Sequence, residues 1–159
     1  GRDEIFGDST TFSESPSRAR RMVRPGDVIV STVRTYLRAV AHIPALEEEM
    51  IVSTGFAVLR AKANTDSCFL RFACTSHGFP STVMSLSTGV SYPSINPSQL
   101  ATISMPRPPL LEQQEIAAYL EEELATSGEL QKELENQVNL LKAYRKSLIS
   151  EVVTGKKGV

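Results

Sequence analysis

Apolar residues in the last third of the chain recur at the spacing of one face of an α-helix. The region 110–153 is also rich in Glu, Gln, Leu, Ala and Lys, which favour helix. Pro108-Pro109 suits the first helical turn, where a missing N–H costs nothing, and Gly155 is typical of a helix end. The pattern therefore predicts one long helix. Its apolar positions are Leu111, Ile116, Leu120, Leu124, Leu130, Leu134, Val138, Leu141, Leu148 and Val152.

Part of this helix carries a heptad-like seam, in which three leucines are spaced by seven residues and Arg145 interrupts the pattern. At about 1.5 Å per residue, a continuous helix spans about 60 Å, which is too long for the rest of the chain to cover. We therefore expect a second helix, from another chain or from a part of the protein outside this sequence. The alternative is a helical hairpin that folds back at Thr126–Gly128. The predicted helix-pairing residues are Leu134, Val138, Leu141, Leu148 and Val152.

The region before Pro106 has the pattern of strands and turns. Asp27–Thr35 alternates and is rich in β-branched residues, so it predicts a strand after the turn Pro25-Gly26. Further strands are predicted at Arg38–Ile43, at Met50–Arg60 with Gly55 as a bulge, and at Leu100–Met105. We expect one short helix at Phe69–Ser76, capped by Asp66 or Ser67, and an ordered loop at Leu86–Pro97. The predicted fold class is α+β, with a β-rich domain at 1–109 and a long helix at 110–155.

The charge of the chain is nearly balanced, with a formal net charge of −1, which excludes a basic protein that coats nucleic acid along its whole surface. A local basic segment is present, since residues 16–38 contain six arginines and a single acid, Asp27. The sequence has no apolar run of membrane-spanning length and no recognisable signal peptide. Two cysteines provide no disulfide framework, so we expect the cytoplasm as the compartment.

No catalytic or metal-binding constellation is recognisable in the sequence. The phosphate-binding loop and the dinucleotide-binding glycine motif are both absent. Cys68, Cys74 and His77 fit no common zinc spacing, so we interpret the cysteines as structural. Asp27 is interpreted as a turn residue, and the acidic run 47–49 as a solvated loop. The Asn-Pro-Pro-Tyr type of motif typical of adenine amino-methyltransferases is also absent, with Ile95-Asn96-Pro97-Ser98 as the nearest string. Any chemistry is therefore expected on another chain.

Several motifs occur in an order that resembles the specificity subunit of type I restriction–modification systems. The most specific is the string from Ile103 to Ile116, which contains Pro-Arg-Pro-Pro-Leu-Leu-Glu-Gln and is followed by the heptad-like helix. The other matching strings are Gly26-Asp27-Val28-Ile29-Val30-Ser31, Ser53-Thr54-Gly55-Phe56-Ala57-Val58-Leu59-Arg60, Gly89-Val90-Ser91 with Ile95, Tyr144-Arg145-Lys146-Ser147-Leu148-Ile149 and Val153-Thr154-Gly155-Lys156.

The resemblance implies a target-recognition domain that reads double-stranded DNA, followed by a helix that pairs antiparallel with a second such helix. In this family the paired helices set the distance between two half-sites and dock the modification subunits. The resemblance also implies a motor–nuclease restriction subunit, with S-adenosylmethionine, ATP and Mg on the partners and no cofactor in this chain. Because one recognition domain and one helix are present and the domain is short, we expect a C-terminal fragment or a naturally truncated half, with a homodimer or a second half-subunit as the helix partner.

Arginines, small hydroxyls and tyrosines provide the predicted DNA contacts. Arginine binds phosphate and reads guanine through two hydrogen bonds, and small donors let a backbone approach phosphate. If the strand continues past Thr35, Arg34, Tyr36 and Arg38 share one face. The alternative for the arginine segment is a solvated edge strand without a role in binding. The alternative for the loop rich in Ser and Thr is an ordinary turn. The predicted DNA-binding residues are Arg18, Arg20, Arg21, Arg34, Tyr36, Arg38, Ser87, Thr88, Ser91 and Tyr92.

Two other functions fit the same residues. In the first, the chain is a truncated assembly or dimerisation module that no longer reads DNA. In the second, it is the recognition part of a single-chain adenine-specific DNA methyltransferase or a related endonuclease, whose catalytic motifs lie elsewhere in a longer sequence. Under each of these functions, we predict no catalytic residue and no metal-binding residue in this chain.

Overall fold

The computed structural model describes residues 5, 7–11, 13–45 and 49–158. Within the described residues, five strands precede four helices, and a 3-10 turn at Thr35–Leu37 lies between the second and third strands. The chain divides into two compact units, of which the first ends at Ala117 and the second begins at Ala118. The elements are β1 Ala19–Val23, β2 Val28–Ser31, β3 Val40–His42, β4 Met50–Ser53, β5 Phe56–Leu59, α1 Ser67–Thr75, α2 Gly78–Leu86, α3 Pro97–Leu100 and α4 Leu110–Val153.

The strands form two small antiparallel sheets. β1 pairs with β4, and β2 lies between β3 and β5 in a three-stranded sheet. Side chains of β2 alternate between two apolar clusters, because successive residues of a strand point to opposite faces. Val28 and Val30 pack in a cluster with Leu70 of α1 and Phe79 of α2, whereas Ile29 packs with Val23 and Ile43. β2 is therefore buried on both faces, which explains its unbroken apolar run.

Asp27 directly precedes β2 and forms an ion pair with Arg60, which directly follows β5. It closes a turn in which its N–H donates to the Arg24 carbonyl and its Oδ2 accepts from the Arg24 N–H, with Gly26 at φ 84°. Its two carboxylate oxygens accept from Nε and Nη2 of Arg60 at 2.7 and 2.6 Å. The Asp27 side chain is 2% exposed and that of Arg60 is 48% exposed. Asp27 is thus a turn residue, as expected, and also the buried partner of an ion pair.

Several predicted strands have other bounds than expected. The strand predicted at Asp27–Thr35 ends at Ser31, and Met50–Arg60 is two strands in different sheets because the chain turns at Thr54–Gly55. The strand predicted at Leu100–Met105 is wrong. Asn96 caps α3 with a capping box, and the N–H groups of Thr102 and Ile103 bond back to that helix instead of to a strand. β1 and α2 were not predicted, whereas the α1 helix and its Asp66 cap are confirmed.

The long helix α4 is continuous over 44 residues, so the alternative hairpin at Thr126–Gly128 is wrong. A glycine in a helix costs only about 1 kcal/mol, which the good helix formers around it offset. The Thr126 hydroxyl donates to the Glu122 carbonyl one turn earlier, at 3.1 Å, so it does not compete with the helix. No helix in the described part of the chain is long and apolar enough to cross a membrane. The predicted α+β class, small antiparallel sheets followed by a long helix, is confirmed.

Asp27→Asn is expected to lower the free energy of unfolding by about 1–3 kcal/mol at neutral pH, since Arg60 and the Arg24 N–H lose an ionised acceptor. Burial raises the pKa of the Asp27 carboxyl, but the hydrogen bonds and charges of Arg60 and Arg24 outweigh burial and hold the pKa below its ordinary value. The ionised carboxylate therefore stabilises the fold above about pH 4, and this stabilisation is lost as the pH falls through the folded-state pKa.

Denaturant unfolding at pH 7 and at pH 3 measures this effect, with the exposed Asp8→Asn as the control. The difference between wild type and Asp27→Asn should narrow at pH 3. An equal difference at both pH values contradicts the assignment of the stabilisation to the ionised pair.

Candidate nucleic-acid interface

Two loops of the first unit lie side by side and are called the paired loops: the first loop is 32–39 and the second is 87–96. Buried Thr32 joins them. Its N–H and its Oγ1 both donate to the Gly55 carbonyl, at 2.8 and 2.9 Å, and its own carbonyl accepts from the Ile95 N–H at 3.0 Å. Since Ile95 lies in the apolar core, both loops leave the domain from a fixed base.

Further contacts hold the loops together above Thr32. Val33 and Ser94 form an isolated antiparallel bridge. The buried Thr35 hydroxyl donates to Ser87 Oγ at 2.8 Å, and Ser87 Oγ donates in turn to the Val83 carbonyl of α2 at 2.7 Å. Ser87, a predicted DNA-binding residue, therefore has its hydroxyl engaged within the domain and joins the first loop to α2.

The first loop has a backbone shape that few residues adopt. Arg34 and Arg38 flank the 3-10 turn, and both are left-handed, with φ of 51° and 50°. A non-glycine residue in this region costs about 1–2 kcal/mol, so the buried hydroxyls of Thr32 and Thr35 must hold the loop in place. The expectation that Arg34, Tyr36 and Arg38 share one face of a continued strand is wrong, because the strand has already ended and the three residues lie on a turn.

The second loop places Tyr92 under Arg34. Thr88 and Ser94 exchange two backbone hydrogen bonds of 2.9 Å, which closes a small hairpin. Gly89 within it has φ 111°, and a Cβ at that position would lie 3.1 Å from the Tyr92 carbonyl oxygen, so glycine is required. The Arg34 guanidinium carbon then lies 4.9 Å from the centroid of the Tyr92 ring, a cation–π contact.

The surface of the paired loops combines positive charge with exposed apolar side chains. Residues 32–39 and 87–96 contain two arginines and no acid. Arg34 and Arg38 are exposed, and neither guanidinium group has a hydrogen bond or ion pair with any described residue. Exposed apolar patches of this kind are uncommon outside binding surfaces. The exposed large side chains of the paired loops are Val33, Tyr36, Leu37, Val90 and Tyr92.

The remaining predicted DNA-binding residues are spread over two places. Thr88 and Ser91 lie exposed on the second loop. Arg18, Arg20 and Arg21 lie at β1, whose partner is β4. No hydrogen bond or ion pair among the described residues joins these three arginines to the paired loops. The structure thus brings together the residues of the paired loops, and the β1 arginines stay a separate prediction.

Of the two cysteines, Cys74 belongs to the apolar cluster that contains Val28 and Val30. Cys74 is fully buried among core side chains of α1 and α2, and burial raises the pKa of its thiol to about 12. The group is therefore a neutral thiol at physiological pH and a poor nucleophile. Cys68 is half-buried. The described residues include no group of three His, Cys, Asp or Glu side chains that is suited to hold a metal ion.

In the second unit, the predicted helix-pairing residues form an exposed stripe along α4. Leu134, Val138 and Leu141 are 52%, 47% and 67% exposed, and Leu148 and Val152 are half-buried by their helical neighbours. Leu130 extends the stripe toward the start of the helix, and Tyr144, between Leu141 and Leu148, is also exposed. On its flanks, Gln131 donates to Glu135 and Gln137 donates to Glu133 within the same helix. The polar side chains are thus satisfied locally, while the apolar stripe faces outward.

Gln113 is a buried polar residue that the sequence did not single out, although it lies within the most specific string of the resemblance. Its side chain is fully buried in the first turn of α4. Its Oε1 accepts from the Asp66 N–H at 3.0 Å, and its Nε2 donates to the Asn64 carbonyl and, at 2.7 Å, to the Pro108 carbonyl. Gln113 therefore fastens the start of the long helix to the loop that precedes α1.

Comparison with solved structures places the fold in a known class. The chain is similar to the HsdS subunit from Thermoanaerobacter tengcongensis, with 36% identity and a TM-score of 0.63, covering 81% of this chain and 34% of that one. It is also similar to a chain of a type I R-M system solved to describe complex assembly and conformational transition, with 32% identity and a TM-score of 0.68. That match covers 86% of this chain and 36% of the other. The chain thus spans about a third of the length of each.

The sequence comparison agrees with the structural one. Residues 22–140 match the type I restriction modification DNA specificity domain, which is most of the chain. The chain therefore belongs to that family, and the resemblance noted from the motifs is confirmed. No curated protein sequence matched the chain.

Gln113→Leu is expected to lower the free energy of unfolding of the chain by about 1–3 kcal/mol, because it leaves the Asp66 N–H without its acceptor and removes both carbonyl contacts. Denaturant unfolding checks this, with Gln114→Leu as the matched control, since the neighbouring glutamine is exposed. Equal stability of the two variants would show that the buried amide does not anchor the helix.

Proposed function

We propose that this chain is the DNA-reading part of a type I restriction–modification specificity subunit, and that it selects the sequence on which other subunits act. The observation that carries the proposal is the paired-loop surface. It presents two unpaired arginines and five exposed large side chains, contains no acid, and is held rigid by buried hydroxyls at its base. Family membership supports this reading of the surface.

The chemistry of the paired loops suits double-stranded DNA. Guanidinium groups bind phosphate oxygens and the edge of guanine, and apolar side chains contact thymine methyl groups. A loop that is held in place before binding loses little conformational entropy when DNA binds. We place DNA contacts on Arg34, Tyr36, Arg38 and the second loop, and assign further backbone contacts to the β1 arginines.

The exposed stripe of α4 supports a second part of the proposal, which concerns assembly. An apolar stripe with heptad-like spacing requires a partner helix. We propose that α4 pairs with the equivalent helix of a second half-subunit or a second copy, and thereby sets the distance between two DNA half-sites. Methyltransferase and motor–nuclease subunits would dock on this assembly and carry S-adenosylmethionine, ATP and Mg, while this chain carries out no catalysis.

A pure assembly module is the second candidate, and the exposed stripe alone favours it. The two candidates differ in the salt dependence of DNA binding. Each phosphate contact releases counterions, so a DNA-reading surface gives affinity that falls steeply with salt. An assembly module gives weak binding with almost no salt dependence.

Arg34→Ala and Arg38→Ala are each expected to weaken binding of the assembled complex to its target duplex by about 1–3 kcal/mol, because each removes a charged contact to DNA. The target is first identified by mapping methylated bases in a host that carries the system. Fluorescence anisotropy over a range of salt concentrations then measures affinity, with the exposed Lys62→Ala as the control. Unchanged binding for both arginine variants would refute the assignment of the interface to the paired loops.

Leu141→Glu is expected to reduce the mass of the chain in solution from that of a dimer to that of a monomer, since a charge in the stripe opposes helix pairing. Light scattering after size exclusion, over a range of concentrations, measures the mass. Asn139→Glu is the matched control, because it adds the same charge on the opposite side of the helix. A Leu141→Glu variant that keeps the wild-type mass would disprove pairing through this stripe.

A further inference from the structure

The two arginines of the first loop have the same backbone shape but different surroundings. Both are left-handed, both flank the 3-10 turn, and both are exposed. Of these two arginines, Arg34 lies over an aromatic ring of the described residues, with its guanidinium carbon 4.9 Å from the centroid of the Tyr92 ring. Arg38 has no such contact. This difference separates their expected roles at a DNA surface.

The stack occupies a face of the guanidinium and leaves its edge free. A ring contact uses the π face of the planar group, whereas its five N–H donors lie in the plane and point outward. No described residue accepts a hydrogen bond from the Arg34 guanidinium or forms an ion pair with it. An arginine with a structural role would be expected to use these donors within the fold, as Arg60 does with Asp27. The Arg34 donors are available for a ligand.

We propose that Tyr92 is a positioning residue that holds Arg34 ready to read a single guanine through two hydrogen bonds, while Arg38 contacts the phosphate backbone. This inference rests on the proposed DNA-reading function. Arginine has several rotatable bonds, and fixing them when DNA binds costs conformational entropy. A side chain that is already stacked on a ring loses less entropy at that step. The bidentate guanine contact needs the plane of the guanidinium to be aligned with the base, whereas a phosphate contact tolerates many orientations.

The loop architecture makes the position of Tyr92 independent of DNA. The Thr88–Ser94 hairpin, the Val33–Ser94 bridge and the required glycine at 89 fix the backbone that carries the ring. The Tyr92 ring itself is 66% exposed, so its replacement removes the platform without opening the core. A change at Tyr92 therefore tests the position of Arg34 rather than the stability of the fold.

The experiment uses the complex assembled with its modification subunits, its target duplex, and duplexes in which each G·C pair of the target is replaced in turn. Arg34→Lys keeps the charge but loses the planar fork. It should reduce discrimination at one G·C position by roughly 5- to 150-fold, the range expected for one bidentate contact. Arg38→Ala should weaken binding to all duplexes alike and lower the salt slope by about one.

Tyr92→Leu should reduce discrimination at that same position by about two- to fivefold and leave binding to unrelated DNA unchanged. Tyr92→Phe keeps the ring and should behave as wild type. In the Arg34→Lys background, Tyr92→Leu should have little further effect, because the two side chains act as one unit. Additive losses, or an equal loss at every position, would overturn the positioning role of Tyr92.

The outcomes separate this inference from the proposed function. If Arg34→Lys loses discrimination at one position and Tyr92→Leu does not, Tyr92 has no positioning role, but the DNA-reading function stands. If neither the Arg34 nor the Arg38 variants alter binding to any duplex, the proposed function of the paired loops fails together with the inference.

Discussion

The side chain of Gln113 provides the constraint that holds the first turn of the long helix to the loop before α1. A buried amide without partners costs free energy, so its three hydrogen bonds must form together for the site to be stable. They connect the Pro108 carbonyl, the loop before α1 and the first turn of α4. Since the Asp66 N–H that Gln113 engages belongs to the N-cap residue of α1, the start of the long helix and the start of a core helix share one polar junction.

The same principle recurs where the paired loops leave the domain. Thr32 and Thr35 are buried, and their hydroxyls bond to Gly55 and Ser87 in segments that are distant in sequence. These bonds replace the ladder that a continued strand would have made. They also hold Arg34 and Arg38 in the left-handed backbone conformation, which is unfavourable for a residue other than glycine in a flexible loop. Backbone strain and arginines without an ion-pair partner do not stabilise the fold. Their presence in a rigid loop therefore supports a binding role.

The two apolar surfaces of the chain differ in the kind of partner that suits them. On the paired loops, exposed apolar side chains are mixed with arginine and lack acids, which fits a polyanion with apolar base edges. On α4, the exposed stripe is regular, and acidic and basic residues flank it, which fits another helix. The separation of these two surfaces supports the proposal that one reads DNA and the other pairs with a helix.

Local interactions determined what the sequence by itself specified: the long helix from its composition and spacing, the α1 helix from its Asp66 cap, and the β2 strand from its β-branched residues. The tertiary structure alone decided the rest. Whether Gln113 or its neighbour Gln114 is buried depends on the loop before α1, and the stacking of Arg34 on Tyr92 depends on a hairpin far along the chain. The split of Met50–Arg60 into two sheets depends on which partner strand is available on either side of Gly55. These features arise from contacts between distant segments, whose free energy outweighs local preference and leaves no periodic signal in the residues themselves.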